Sequence, residues 1–329
     1  MPQTDLSDEQ QMEFPFMARA GLVTQLRERG RALAAAARAP NTRRAYESDW
    51  AIFAAWCCDF GRESLPATGE TVALFVAEHA RDWRVSTIRR RLGGIGWRHR
   101  RGGYGDPTKL EEVREVVRGV ARSTRRPGLA KAAVMVEELR QMVSAVRQLE
   151  APRAERDAAI LLLGFAGGFR RSELAELELR DVRFQREGVA VVLRSSKTDQ
   201  EGEGRVVAIA RGERAETCPV RALEGWIGER GPEGGALFRR VDRFGRVLVE
   251  GLSGQGIAGV VKRAAAGAGL DAERYAGHSL RAGLVTAAHE AGKADSVIMR
   301  TTGHRSVITL ARYIRGRNGY GSAAARGLL

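Results

Sequence analysis

Cysteine is scarce in this chain of 329 residues, and long apolar runs are missing. Cys57, Cys58 and Cys218 show neither metal-ligand spacing nor a disulfide framework, which is typical of a protein from a reducing cytoplasm. No apolar stretch approaches the length of a membrane span, and the acidic first 14 residues lack the apolar core of a signal peptide. We therefore expect a soluble, cytoplasmic protein without a membrane partner.

Lysine is also scarce, because only five of the 54 basic residues are lysine and the other 49 are arginine. The net charge of +14 and the isoelectric point near 10.6 indicate a polyanionic partner, most simply a nucleic acid. A GC-rich genome would also favour arginine. Arginine nevertheless suits phosphate, since its planar fork can donate two hydrogen bonds to one phosphate group.

The chain divides into a helical first half and a mixed second half. We expect a flexible tail over residues 1–20 and a helical domain over 21–123, where no convincing strand occurs. The Pro-, Gly- and Arg-containing segment 124–134 has the composition of a linker. Residues 135–329 combine helical patterns with two apolar runs in "GVAVVLRSSKTDQEGEGRVVAIA", which predict a hairpin with a third strand within 179–185.

A basic segment lies between Arg81 and Arg101, with eight arginines against one acid, Asp82. A solvated charged helix face is the ordinary explanation for such a run. Here the charges are not mixed, so the i,i+4 pairing that supports exposed charge is missing, and DNA phosphates would neutralise the arginines instead. The candidate DNA-contacting residues in this half are Arg43, Arg44, Thr87, Arg89, Arg90, Arg91, Arg98, Arg100 and Arg101.

Four short segments of the second half carry residues suited to chemistry. They are "GGFRRSEL" with Arg170, "RSSKTDQ" with Lys197 at a hairpin turn, "GHSLRAG" with His278 and Arg281 on one helix face, and "TTGHRSVITLARYIR" with His304 and Tyr313. Each residue alone has an ordinary structural explanation. Together they supply what a metal-free attack on a phosphodiester needs: two guanidiniums for the phosphoryl charge, a phenol nucleophile, histidines and an ammonium for proton transfer. No carboxylate cluster with metal-ligand spacing and no phosphate-cradling loop accompanies them, so we expect neither a metal nor another cofactor.

The position of Tyr313 is itself unusual. If Ser306 caps a helix, Tyr313 falls about 110° from the apolar stripe of that helix and faces away from the core. The predicted stripe consists of Val307, Leu310, Ala311 and Ile314.

In the order and spacing of these segments, the sequence resembles the tyrosine recombinase (phage integrase-like) family. The resemblance covers the second half well, and the first half is similar to the helical DNA-clamping domain of that family through "STIRRRLGGIGWRHRRGG". It implies a mainly α fold with a small antiparallel β-sheet (α+β), in which a helical N-terminal DNA-binding domain and a mixed C-terminal catalytic domain form a C-shaped clamp on DNA.

The resemblance also implies roles for individual residues. Tyr313 would attack the scissile phosphate and form a 3′-phosphotyrosine, and Lys197 would protonate the leaving 5′ oxygen. The phosphate would be bound by Arg170, Arg281, His278 and His304, with His278 also a candidate base, and Glu173 would support the site. No metal or ATP would be needed.

The same resemblance implies a partner and an assembly. We expect double-stranded DNA with an inverted-repeat site, bound by a homo-tetramer that is a monomer or weak oligomer when free. The predicted helix 252–268 occupies the place of a major-groove helix, in which Gln255 could contact adenine and Lys262 the DNA.

Two alternatives stay open at this point. A type IB topoisomerase uses a similar residue set, although "HSLR" and the basic helical half favour recombination. A DNA-binding regulator without catalysis is the other alternative, and the complete residue set argues against it.

Overall fold

The computed structural model describes residues 21–33, 40–123, 131–194 and 204–314. The chain divides into two compact units, Met1–Gly128 and Leu129–Leu329. Within the described residues the fold is mainly helical with small antiparallel sheets, which confirms the predicted fold class. No described helix is both long enough and apolar enough to span a membrane. The predicted tail over 1–20 and residues 124–130 of the predicted linker lie outside the described residues.

The described part of the first unit contains helices and no strand. Residues 21–33 are helical and exposed throughout. The helices that follow are α1 (Pro40–Asp59), α2 (Gly69–Glu78), α3 (Val85–Arg101) and α4 (Glu111–Ser123). α1 packs on α3 and α2 packs on α4, around a core that includes Phe53, Phe75 and Ile95. The side chain of Thr68 begins α2 by accepting a hydrogen bond from the Thr71 N–H (3.1 Å).

The second unit begins at Leu129, inside the predicted linker 124–134. Residues 131–134 extend along the unit: the Ala132 N–H donates to Arg274 O (2.6 Å) and the Val134 N–H to Ser279 O (3.0 Å). Val134 is fully buried, so this end of the segment is part of the core. The helices of the unit are α5 (Val136–Val146), α6 (Arg153–Ala166), α7 (Arg171–Glu176), α8 (Pro219–Arg230), α9 (Gly254–Gly267), α10 (Gly277–Glu290), α11 (Asp295–Thr302) and α12 (Val307–Ala311).

Helix α6 is the centre of the second unit. Its residues 158–163, AAILLL, are all buried, and α5, α8 and α10 pack around it. A helix that is apolar on every face is buried on every face, so this segment places the remaining elements around itself. The functional segments predicted from the sequence lie on the elements that surround α6 or follow it.

Three strands form an antiparallel sheet in the order β1 (Val182–Gln185), β2 (Gly188–Leu193) and β3 (Arg205–Ala210). The β2–β3 ladder runs from Gly188 opposite Ala210 to Leu193 opposite Arg205. The predicted hairpin and third strand are therefore confirmed. A second hairpin, β4 (Arg239–Val241) with β5 (Val247–Gly251), was not predicted from the sequence; its five-residue connection, 242–246, contains Gly245 at φ +80°.

Candidate active site

Arg170 and Glu173 form one unit at the start of α7. The Arg170 backbone N–H donates to Glu173 Oε2 (2.8 Å), which caps the helix, and the Arg170 guanidinium donates to Oε1 of the same carboxylate (2.5 Å). Glu173 is buried, while the Arg170 side chain keeps 12% of its surface exposed. The buried glutamate therefore fixes both the backbone and the guanidinium of Arg170, while part of the Arg170 side chain remains exposed to solvent.

The Gly-Gly break before Arg170 has a steric cause. Gly168 has φ +57°, and a Cβ atom here would lie 2.8 Å from Thr302 Cγ2 and 2.9 Å from Leu284 Cδ2. Only glycine accommodates both the left-handed backbone and this close approach. The end of α6 is thereby brought against α10 and α11, and the Gly168 carbonyl becomes available to Arg281.

Arg281 is the most enclosed charged side chain of the cluster, with no exposed surface. Its Nη1 donates to Gly168 O and Thr302 O (2.7 Å each), and its Nη2 donates to His304 Nε2 (3.0 Å). Burial, together with the positive charge of Arg170, lowers the pKa of Arg281 to about 10. The guanidinium is still a cation at neutral pH, and protein acceptors hold it in place.

The hydrogen bonds of His304 define its tautomer. A guanidinium only donates, so Nε2 accepts from Arg281 and the ring proton is on Nδ1. Nδ1 in turn donates to Thr302 Oγ1 (2.7 Å), whose hydroxyl donates to Ile298 O (2.7 Å). Burial and the charges of the neighbouring arginines, Arg281 first, lower the pKa of His304 to about 4. At neutral pH His304 is uncharged and orients Arg281.

Tyr313 lies on the same cluster, just after α12. The Thr286 hydroxyl donates to the Tyr313 carbonyl (3.0 Å), which anchors the backbone. The centre of the Tyr313 ring lies 4.9 Å from that of His304 and 6.4 Å from that of His278, and the guanidinium carbon of Arg281 lies 5.7 Å from the ring centre. The phenol, both histidines and a guanidinium, which come from two separate sequence segments, are thus neighbours.

The predicted apolar stripe around Tyr313 is wrong. Val307 is 54% exposed and Ala311 is exposed, whereas Leu310 is fully buried. Tyr313 does not face away from the core but packs, half-buried, on the small apolar cluster that includes Leu310. The helical period fails because α12 has only five residues, so Tyr313 lies beyond its end.

Lys197 falls outside the described residues. Its segment lies between the end of β2 at Leu193 and the start of β3 at Arg205. These two residues pair at one end of the β2–β3 ladder. Among the described residues, no group of three or more His, Cys, Asp or Glu side chains could hold a metal ion.

Residues 133–318 match the phage integrase family. The chain is 35% identical over 284 residues to an integrase/recombinase XerD homolog of Selenomonas ruminantium, which covers 85% of this chain and 83% of the relative. The chain belongs to the phage integrase family. It is a site-specific tyrosine recombinase. A tyrosine recombinase of Synechococcus elongatus is 27% identical over 311 residues, which cover 86% of this chain and 87% of that protein.

Solved structures of recombinases share the fold. A lambda integrase dimer bound to a COC′ core site aligns with a TM-score of 0.60 at 16% identity, over 92% of this chain and 81% of the other. The XerH recombinase in a post-cleavage complex with palindromic difH substrate aligns with a TM-score of 0.55 at 18% identity, over 75% and 68% of the two chains. Membership of the family favours recombination over the topoisomerase and regulator alternatives.

Arg205 is a site residue of the recombinase that the sequence analysis missed. Its Nη1 donates to Thr301 O (2.5 Å) and its Nη2 to Glu173 Oε2 (3.4 Å). Burial, opposed by Glu173 and reinforced by Arg170, lowers the pKa of Arg205. The available signal was a single arginine at the start of an otherwise apolar strand, directly after the Lys197 segment. Thr302 was missed as well, since a helical threonine carries no sequence signal of its own.

The basic segment of the recombinase is less uniform than its sequence indicates. Arg90 and Arg91 pair with the buried Asp49 of α1 (3.0 and 3.4 Å), and the Arg91 guanidinium stacks 3.9 Å from the centre of the Trp83 ring. Arg100 pairs with Asp106. The acids that partner these arginines lie outside the 81–101 window, which is why the sequence showed only one. Arg89, Arg98 and Arg101 are exposed on α3.

The remaining candidate DNA contacts occupy varied positions. Arg44 and Gln255 are exposed, the latter in the first turn of α9, while Arg43 and Thr87 are half-buried. Lys262 pairs with Glu273 (2.8 Å) on the surface. The DNA-contacting role of each of these residues stays a prediction.

Proposed function

We propose that the recombinase cleaves and rejoins DNA through Tyr313. The phenolic oxygen attacks the scissile phosphorus, the bond from phosphorus to the 5′ oxygen breaks, and a 3′-phosphotyrosine and a free 5′-hydroxyl result. Joining is the same reaction in reverse with the 5′-hydroxyl of a partner strand. The phosphodiester energy is retained in the covalent link, so no ATP is consumed.

The observation that supports this proposal most is the position of the Tyr313 ring beside His304 and Arg281. Attack increases the negative charge on the non-bridging oxygens, and fixed guanidiniums stabilise that charge without reorganising during the reaction. Arg170 reaches solvent and is the guanidinium that we assign to direct contact with the phosphate. Arg281 is buried in the free protein beside the Tyr313 ring, where its positive charge stabilises the phosphate electrostatically. It contacts the phosphate directly once the Tyr313 ring moves to the phosphorus.

The proton steps are assigned to two further residues. Phenols lose their proton near pH 10 in water, so attack at neutral pH needs a local base. We assign this role to His278, which is exposed at the start of α10 and faces the Tyr313 ring at 6.4 Å. Lys197, on the segment between β2 and β3, is assigned the protonation of the leaving 5′ oxygen. His304, neutral in the free protein, positions Arg281.

The substrate and assembly follow from the same reasoning. We propose duplex DNA with an inverted-repeat site, bound by a homo-tetramer that exchanges strands through a Holliday junction, with residues 21–123 as the DNA-binding domain and 135–329 as the catalytic domain. The net charge of +14 supports a duplex partner. We further propose that the protein acts at the nucleoid in a prokaryotic cytoplasm, where its DNA substrate lies.

The first test is trapping of the covalent intermediate. A target site is selected from random duplexes by enrichment on the recombinase, then nicked beside the scissile phosphate so that the short product diffuses away. The wild type is expected to form an adduct that survives denaturant and is removed by protease, whereas Tyr313→Phe forms none and binds the duplex as tightly as the wild type. An absent wild-type adduct, or one that persists in Tyr313→Phe, would overturn the proposal.

The role of Lys197 has a separate test. If Lys197 protonates the leaving oxygen, Lys197→Ala cleaves a normal phosphodiester slowly but cleaves a 5′-bridging phosphorothioate well, because a thiolate (pKa about 8.5) leaves without a proton. Equal loss of rate on both substrates would contradict this assignment and leave that of Tyr313 intact.

A further inference from the structure

We propose that Arg205 is a positioning residue for DNA cleavage. It links the Arg170–Glu173 pair to residues 301–304, the end of α11 and the turn that carries His304. This inference rests on the proposed function. Arg205 contacts no reacting atom in it; its effect is exerted through Glu173 on one side and through residues 301–304 on the other.

The Arg205 guanidinium contacts two separate parts of the site. Its two terminal nitrogens donate in different directions, one to Glu173 Oε2 and the other to Thr301 O at the end of α11. Glu173 is the carboxylate that holds the backbone and the guanidinium of Arg170. One planar fork therefore spans two parts of the site that come from segments about 130 residues apart in sequence.

The Arg205 guanidinium also lies close to Gly303. This glycine ends α11 at φ +70°, and a Cβ atom here would lie 3.0 Å from the Arg205 guanidinium carbon. The guanidinium thus lies against the residue that directly precedes His304. His304 accepts the hydrogen bond from Arg281 Nη2, so the position of the turn formed by Gly303 and His304 sets the orientation of Arg281.

Arg205 lies at the end of the β2–β3 ladder. Arg205 pairs with Leu193 as the last rung of the β2–β3 ladder, and the segment between them includes Lys197. By donating hydrogen bonds to Glu173 and Thr301, Arg205 connects this end of the β2–β3 ladder to the rest of the site. A single residue therefore links the end of β3 both to Glu173 and to the end of α11.

An ordinary stabilising role explains Arg205 less well. The side chain is only 18% exposed, and its Nε has no hydrogen-bond partner among the described residues. Burying a cation with one donor unsatisfied is unfavourable, and a buried ion pair often contributes no more to stability than apolar side chains in place of both partners would. The charge of Arg205 also acts on the site, because it is one of three arginines that lower the pKa of His304.

The test compares Arg205→Gln and Arg205→Lys with a matched control on the same sheet, Arg211→Gln. Arg211 is an exposed arginine that pairs with Glu224 (2.7 Å) just after β3, outside the site. Single-turnover cleavage of the nicked substrate, duplex affinity, the urea midpoint and the pKa of His304 by NMR are measured for each variant.

We expect Arg205→Gln to slow cleavage ~10²-fold, as small misplacements of reacting groups do, with duplex affinity unchanged. The pKa of His304 should rise, since a nearby positive charge is lost. Arg205→Lys should keep the low pKa of His304 and recover part of the rate, and Arg211→Gln should behave as the wild type. If Arg205→Gln does not fold, Arg205→Lys provides the test: it should keep the low pKa of His304 while cleaving DNA more slowly than the wild type.

Wild-type rates in Arg205→Gln, or wild-type rates in Arg205→Lys when the glutamine variant is unfolded, would overturn the inference. Loss of rate that only parallels loss of stability, with the pKa of His304 unchanged, would overturn it too. Because these outcomes require a wild-type adduct, they differ from failure of the proposed function, in which the wild type itself forms none.

Discussion

The recombinase uses arginine in two ways, and helix α3 and the candidate active site are the contrasting examples. On α3 the residues Arg89, Arg98 and Arg101 are exposed to solvent. In the candidate active site Arg281 is fully buried and Arg205 largely so, and backbone carbonyls, a carboxylate and an imidazole hold their nitrogens. The first arrangement is adaptable and screened by salt, whereas the second is rigid and acts through a low dielectric.

This difference explains what each region can do. An exposed side chain adjusts to any phosphate along a duplex, which supports binding without demanding an accurate geometry. Stabilising the transition state requires charges that are already in position. Substitutions in the two regions should therefore separate binding from cleavage.

The largest effect is expected for Arg281→Met, which replaces the fully buried arginine. The substitution keeps the volume but leaves Gly168 O, Thr302 O and His304 Nε2 without their donor. We expect cleavage to be lost and the free energy of unfolding to fall by about 3 kcal/mol, since buried acceptors are left unsatisfied. Urea unfolding and adduct formation measure the two effects. Arg221→Met, at an exposed position of α8, is the control and should change neither; a stable Arg281→Met variant would contradict the rigid arrangement.

A second effect concerns pH. The pKa of His304 is about 4 in the folded protein and near 6.5 when unfolded, so between these values the unfolded chain binds a proton that the native state does not. The free energy of unfolding should therefore rise with pH across this window, by at most about 3 kcal/mol, and be constant above it with respect to this group.

The measurement is urea unfolding at several pH values. His304→Asn should lose this part of the pH dependence, whereas His289→Asn, at an exposed position of α10, should keep it. Equal pH slopes in the wild type and His304→Asn would show that His304 is not held neutral by its surroundings.

The smallest effects test the comparison within α3 itself. Arg91 pairs with buried Asp49 and stacks on Trp83, so Arg91→Gln should lower the free energy of unfolding by about 1–2 kcal/mol. Arg89→Gln should leave stability within about 0.5 kcal/mol but weaken duplex binding and reduce the salt slope by about one. Urea unfolding and binding to a duplex at several salt concentrations measure both. Exchanged behaviour of the two variants would contradict the assignment of Arg89 to the exposed class.

Several elements of the fold and the site were accessible from the sequence because their causes are local. The continuous apolar run of α6, the hairpin strands β2 and β3, and the Gly-Gly break before Arg170 each follow from residue types and spacing. The stripe around Tyr313 failed because a helix of five residues is too short for a helical period to be informative. The acids that partner Arg90, Arg91 and Arg100 were missed because Asp49 and Asp106 lie outside the sequence window of the basic segment.

Residue types and their spacing along the chain were enough to indicate the family, the charge that suits DNA, and the residues that suit a metal-free phosphoryl transfer. The folded structure was needed to show that Arg281 is buried, that His304 is neutral and that Arg205 contacts both Glu173 and the end of α11. The physical reason is that a residue type fixes which hydrogen bonds and charges are possible, whereas burial and long-range contacts fix which of them form.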